Sequence, residues 1–173
     1  MKPLQQVAFN HNIKSLEPAY DLMTFDLHFN HIYKKHVDDF NDEVGDLAFN
    51  KAGAELHSSY FENVREFRAF NRPIGKSAHV IEMRYGSWEN FVLTCHDQAS
   101  RLQGNGWVYM NNAGYVNIIP NNRIVKGVAM IIDLWEHAFV PMFGNDRSQY
   151  LTQQLGLIDW DIVNKRILKE KKE

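Results

Sequence analysis

The sequence predicts an α+β fold: an N-terminal antiparallel helical hairpin, then a second half with a small three-stranded antiparallel sheet and flanking helices. Three observations predict it. Apolar residues recur at helical spacing through residues 19–44 and again from residue 47, with Gly45 between the two runs. Short apolar, β-branched runs separated by turn residues follow between Trp107 and Asp133, and the chain returns to a helical pattern after them. A chain of 173 residues with 45% hydrophobic and 13% aromatic residues can bury a sizeable core, as one domain or as two small halves around a shared one.

Taken in order, residues 1–18 read as irregular and end in "LEP". From Ala19, the residues Leu22, Phe25, Phe29, Ile32 and Phe40 form an apolar stripe on one helix face. "NDEVGD" breaks that pattern, and "LAFNKAGAELHSSYFENVREFRAF" (47–70) resumes it, so two helices should pack antiparallel across a turn at 42–46. Pro73 and Gly75 in "NRPIG" mark a linker, dividing the chain into a helical hairpin domain (1–72) and an α/β domain (73–173). "KSAHVIEMRYG" and "SWENFVLTCHDQASRLQ" read as two helices parted near Gly86. "WVYMN", "YVNII" and "GVAMIID" read as strands, the first two joined by a turn at "NAG". Beyond Asp133 the pattern is helical, with a break around "GNDRS", a last amphipathic helix from Asp159 and a solvated helix end in "KRILKEKKE".

Composition narrows the function classes. A formal net charge of −2 provides no field for nucleic acid or an acidic membrane, and neither partner is expected. The single cysteine, Cys95, rules out an internal disulfide and any cysteine-based zinc site. The start of the sequence lacks the apolar core of a signal peptide and no run reaches membrane-spanning length, so the expected setting is soluble and cytoplasmic.

Four residues carry the chemistry. His28 and His57 stand almost symmetrically about the turn, each roughly 20 Å from it at about 1.5 Å of rise per residue, so the hairpin brings them level. His31 and His36 share the first helix, which leaves the choice among them open. Asp133 ends an apolar strand, where a carboxylate needs a partner, and His137 follows four residues later in "DLWEHAF". By spacing alone that stretch fits a helix cap at Asp133 better than a ligand pair. A His/His/Asp/His set would suit iron, manganese or zinc.

With those stretches in view, the chain resembles the iron/manganese superoxide dismutase family. "DLWEHAF" resembles the family's D-x-W-E-H-A-[FY] signature, "SLEPAYDLMTFDLHFNHIY" its N-terminal run, and "NKAGAELHSSYFEN" its second-helix motif. "YGSWENF", "GNGWVYM", "NDRSQYL" and "IDWDIVNKR" follow in the family's order, so the resemblance covers nearly the whole chain. It implies one iron or manganese ion per subunit, held by His28, His57, Asp133 and His137 between the two halves, with superoxide as substrate. Trp107, Trp135 and Tyr109 would surround the site, and Glu136 would reach the last histidine ligand of a partner subunit, implying a homodimer.

The departures from the family pattern fall around the ligands. A tyrosine usual eight residues after the first ligand is His36, which would take over its hydrogen-bonding role. A histidine usual four residues after that ligand is Ile32, and a tyrosine common three after the last is Val140. The family's active-site glutamine is replaced: Gly53 stands at the iron-type position and Asn122 at the manganese-type one, while Ile131 lacks the glycine often found in manganese enzymes. His36 and Asn122 are therefore the expected catalytic groups beside the ligands, with Lys34 and Lys35 as candidates for steering an anion. The hairpin turn is also shorter than in most relatives. The alternatives are a non-catalytic structural or interaction protein that keeps the fold and the metal site, and a non-redox zinc site.

Overall fold

Asp21 starts the first helix: its side chain accepts from Thr24 N and caps α1 (Leu22–Asp26). In the computed structural model, which describes residues 2–168, α1 continues through a π-helical stretch (Leu27–Tyr33) into α2 (Lys34–Asn41). The π stretch changes which side chains face inward. Phe25, His28, Tyr33, Val37 and Phe40 are buried, so the inward step from His28 skips to Tyr33. That five-residue step is a π step, and it moves Ile32 from the expected stripe to a half-buried flank. Leu22, also expected inward, is 65% exposed.

The turn falls where the sequence predicts it, with Glu43 and Gly45 at φ 58° and 70°. Asp46 then accepts from Ala48 N and Phe49 N to cap α3 (Leu47–Asn63). The helix expected over 47–70 stops at Asn63 because the next backbone groups pair elsewhere. Val64 bridges to Ile158, Arg65 N donates to Leu157 O and Phe67 N donates to Ser15 O.

α4 (Gly75–Tyr85) ends on Gly86 in the left-handed region, and Ser87 caps α5 (Trp88–Arg101). Strands β1 (Gly106–Asn111), β2 (Val116–Pro120) and β3 (Val128–Asp133) pair antiparallel in the order β2-β1-β3. Helices α6 (Glu136–Phe143), α7 (Arg147–Leu155) and α8 (Trp160–Leu168) complete the fold. Residues 169–173 of the expected solvated tail lie outside the described residues.

Strand alternation splits the interior. Val108, Met110, Met130 and Ile132 join a core with Ile81, Phe91, Leu151 and Trp160 of the later helices. Trp107, Ile119 and Ile131 join the other core, with Phe25, Tyr33, Tyr60 and Phe61 of the hairpin. The sheet is thus covered on one face by the hairpin and on the other by the C-terminal helices. Among the described residues no helix is long and apolar enough to cross a membrane.

Arg166 on α8 ties the layers together. Its guanidinium donates to Asn63 Oδ1, Ala129 O, Ser59 O and Glu62 Oε2, bridging α3 and β3. Arg166→Ala strands several part-buried acceptors at once, and we expect it to cost about 1–3 kcal/mol. Urea denaturation should show a lower midpoint with an unchanged slope. A change under about 0.5 kcal/mol would put Arg166 among ordinary surface residues.

Candidate metal centre

Four elements converge on one point. His28 comes from the π stretch, His57 from the middle of α3, Asp133 from the last position of β3 and His137 from the first turn of α6. Strand alternation places Asp133 with Ile131 on the hairpin side of the sheet, opposite Trp107 in the β1 register. The His28 and His57 rings lie 5.1 Å apart, as the level hairpin predicts. Asp133 Oδ2 is 3.0 Å from His28 Nε2, 3.3 Å from His137 Nε2 and 3.6 Å from His57 Nε2. One ligand atom from each residue lies within 4.8 Å of all the others. That span is close to twice the ~2.0–2.2 Å bond of a nitrogen or oxygen ligand to a first-row ion.

The outer atoms of three of these groups are already engaged. His57 Nδ1 donates to Gly53 O at 2.7 Å, Tyr20 Oη meets His28 Nδ1 at 2.5 Å, and Asp133 Oδ1 accepts from Trp135 N at 2.7 Å. His28 Nε2, His57 Nε2, His137 Nε2 and Asp133 Oδ2 are left buried and without a hydrogen bond among the described residues. Four partnerless buried acceptors, one of them charged, are costly unless a cation compensates them. A transition-metal ion fits this donor set, whose imidazole and carboxylate ligands do not by themselves select one metal. The helix-cap reading of Asp133 fails: Trp135 occupies the cap of α6, and no side chain caps that helix.

Burial alone would raise the Asp133 pKa, but His137 and His28 outweigh it and hold the carboxyl well below its usual range. Burial lowers His28 to about 4 against the pull of Asp133. Burial, then the neighbouring His28, drives His57 well down too. The centre therefore combines one carboxylate with neutral imidazoles at His28 and His57, a charge state suited to binding a cation.

The surrounding candidates divide. Trp107, wholly buried, stands edge-on to His57 at 4.9 Å and donates from Nε1 to Asn122 Oδ1 at 3.2 Å. Asn122 Nδ2 is a buried donor with no partner among the described residues. Trp135 lies 6.0 Å from the His137 ring and 6.2 Å from Phe49. Tyr109 shares the Trp107 face of β1 and packs beside the hairpin core. Glu136 and Val140 are exposed on α6, and Ile32 is half-buried. Lys34 and Lys35 pair with Asp38 and Asp39, which cancels much of the field expected of them.

His36 sits 5.4 Å from the His57 ring. Asn50 orients it: Asn50 Nδ2 donates to Val44 O at 2.9 Å, which turns Oδ1 toward His36 Nδ1 at 3.1 Å. The ring rests on Gly53, where an added Cβ would come within 2.8 Å of three of its atoms. Sequence reasoning missed Asn50, Tyr20, Tyr60 and Gln154. Tyr20 meets His28 only eight residues on, whereas Asn50, Tyr60 and Gln154 act through partners on other helices, and no local pattern marks such contacts.

The chain is similar to known proteins along most of its length. Residues 73–166 match the family model for iron/manganese superoxide dismutases, C-terminal domain. The Fe superoxide dismutase of Sulfolobus acidocaldarius is 27% identical, covering 92% of this chain and 90% of that protein. The Fe superoxide dismutase of Bacteroides fragilis is 29% identical, covering 88% of this chain and 93% of its own. The Mn/Fe superoxide dismutase of Porphyromonas gingivalis is 28% identical over 92% and 97%.

The Gly53–His36 contact is directly testable. Gly53→Ala should cost about 1–3 kcal/mol by overpacking. Adding His36→Ala should recover most of that loss, giving a large coupling in a double-mutant cycle followed by denaturation. Additive effects would mean the ring does not rest on Gly53.

Proposed function

The chain belongs to the iron/manganese superoxide dismutase family, and from that premise we propose that it disproportionates superoxide to dioxygen and hydrogen peroxide. The ion is iron or manganese, one per subunit, and its ligands are His28, His57, Asp133 and His137. The observation that carries this reading is the convergence of four buried, partnerless donor atoms on one point. Held there by His28, His57, Asp133 and His137, such an ion would supply the one-electron redox couple that disproportionation requires.

The chain's own residues set the conditions for that chemistry. His57 holds its ring by donating to Gly53 O in its own helix, and Asp133 holds its carboxylate by accepting from Trp135 N. Trp107 and Trp135 wall the site with apolar surface, limiting water. Asn122 Nδ2 offers a hydrogen bond to an oxygen held within the site, with its amide fixed by Trp107. His36, with Nδ1 committed to Asn50, presents its other nitrogen for proton delivery where relatives use a phenol. Glu136, exposed at the start of α6, is available to a second copy of the chain, and a homodimer is part of the proposal. A cytoplasmic setting is consistent with the buried, unpaired Cys95.

Purified protein should contain close to one iron or manganese per chain and consume superoxide well above the free metal. His57→Ala should lose the metal and lower activity by more than about 100-fold, beyond the 10–100-fold typical of outer partners. Iron-loaded and manganese-loaded samples, assayed side by side, identify the working metal. Bound iron or manganese without activity would favour the non-catalytic alternative, in which the altered His36, Ile32 and Val140 positions have abolished turnover. Zinc alone, with no activity in any loaded form, would reject the redox reading.

A further inference from the structure

Behind His28, at the ring nitrogen away from Asp133, lies a buried polar chain that runs to the opposite end of the sequence. Tyr20 Oη is 2.5 Å from His28 Nδ1 and 2.7 Å from Tyr60 Oη. Tyr60 Oη donates to Gln154 Oε1 at 2.7 Å, and Gln154 Nε2 donates to Ala19 O at 3.4 Å. Tyr20, Tyr60 and Gln154 are at most 1% exposed, so water cannot readily substitute for any member.

We propose that Tyr20, Tyr60 and Gln154 are positioning residues that fix the proton of His28 on Nδ1 and so present Nε2, as a lone pair, to the metal. The inference rests on the reading of His28 as a ligand and adds three residues to the machinery of that site.

The polarity follows from counting protons. Gln154 faces the carbonyl of Ala19, which can only accept, so its amide nitrogen points there and its oxygen points to Tyr60. Flipping the amide would set two oxygens against each other. Tyr60 has a single proton and gives it to Gln154. At the Tyr20–Tyr60 contact the proton must then come from Tyr20. Tyr20 has none left for His28, so the proton in that short contact belongs to Nδ1. A neutral imidazole carries only one N–H, which leaves Nε2 bare. A phenol hydroxyl carries one proton to give, which is all this count uses.

His28 needs such help more than His57 does. His57 reaches the same tautomer within its own helix, through Gly53 O. The nearest acceptor to His28 Nε2 is the Asp133 carboxylate at 3.0 Å, which favours a proton on the wrong nitrogen. The chain opposes that pull, because reversing it would break a hydrogen bond at one of its links. Two of the links belong to α3 and α7, so the orientation of a ligand on the first helix is set partly from the far half of the fold.

The test uses zinc(II) as a binding probe, by competition with a chromophoric chelator, and needs no superoxide assay. Tyr60→Phe and Gln154→Leu remove a link without touching the ligands. Each should weaken zinc binding roughly 10–100-fold, the range for outer partners of metal-bound histidine. Gln154→Glu should restore most of the affinity, since a buried, protonated carboxyl can accept from Tyr60 and donate to Ala19 O. In metal-free wild-type protein, nitrogen-15 NMR should show His28 protonated at Nδ1. Variants that fold and bind zinc as tightly as the wild type would overturn the proposal. So would a loss that Gln154→Glu fails to rescue, or a wild-type His28 protonated at Nε2. The NMR result stands whether or not the protein turns over superoxide, so it separates this inference from the proposed activity.

Discussion

A single negative charge with nowhere to go organises this molecule. Asp133 is fully buried at the end of a strand, and one of its oxygens faces three imidazole nitrogens rather than any backbone donor. An isolated carboxylate there would be too costly to keep. The fold meets the cost by bringing histidines from three other elements and leaving room between them for a cation. Each layer is needed for that arrangement. The sheet sets the face on which Asp133 emerges, the hairpin brings His28 and His57 level, and α6 returns His137 over the strand it follows.

The π stretch is the local price of the arrangement. A regular helix would carry the inward face from His28 to a position three or four residues on. The wider turn instead buries both His28 and Tyr33, and the Tyr33 ring stacks on those of His57 and Phe61. Tyr33 also accepts from Val7 N, so the irregular N-terminal segment is anchored to the helix that carries the first histidine. Site geometry and helix geometry are therefore one constraint, and the buried aromatic rings of the hairpin hold both.

Much of this was legible in the sequence because it is written in short-range patterns. The turn at Gly45, the three strands and the paired helices follow from spacing and from turn residues, and the four metal-facing residues were identified through stretches that resemble a known family. The π step was not legible, since a period of 3.6 points to Ile32 where the fold uses Tyr33. Nor was the end of α3: Val64 leaves the helix to pair with Ile158, a partner that no local signal announces. Asn50, Tyr60 and Gln154 escaped for the same reason. Asn50 meets its partner where α3 packs against α2, Tyr60 and Gln154 meet across α3 and α7, and a polar residue on a helix reads as solvated until its neighbour is known.

The altered positions around the ligands make sense when taken together. His36 lies flat against Gly53, so the space above α3 is filled by a ring. A long amide side chain at residue 53 would have to occupy the same volume, and the two cannot coexist without moving α2 from α3. On the sheet side, Asn122 Oδ1 accepts from Trp107 Nε1, and its Nδ2 is a buried donor without a partner among the described residues. Asn50 completes the set by holding the His36 ring in the slot that Gly53 leaves open. The glycine, the histidine and Asn50 thus form one steric and hydrogen-bonding solution. Changing any one of them alone leaves either a clash or an unpaired polar group beside the histidine ligands.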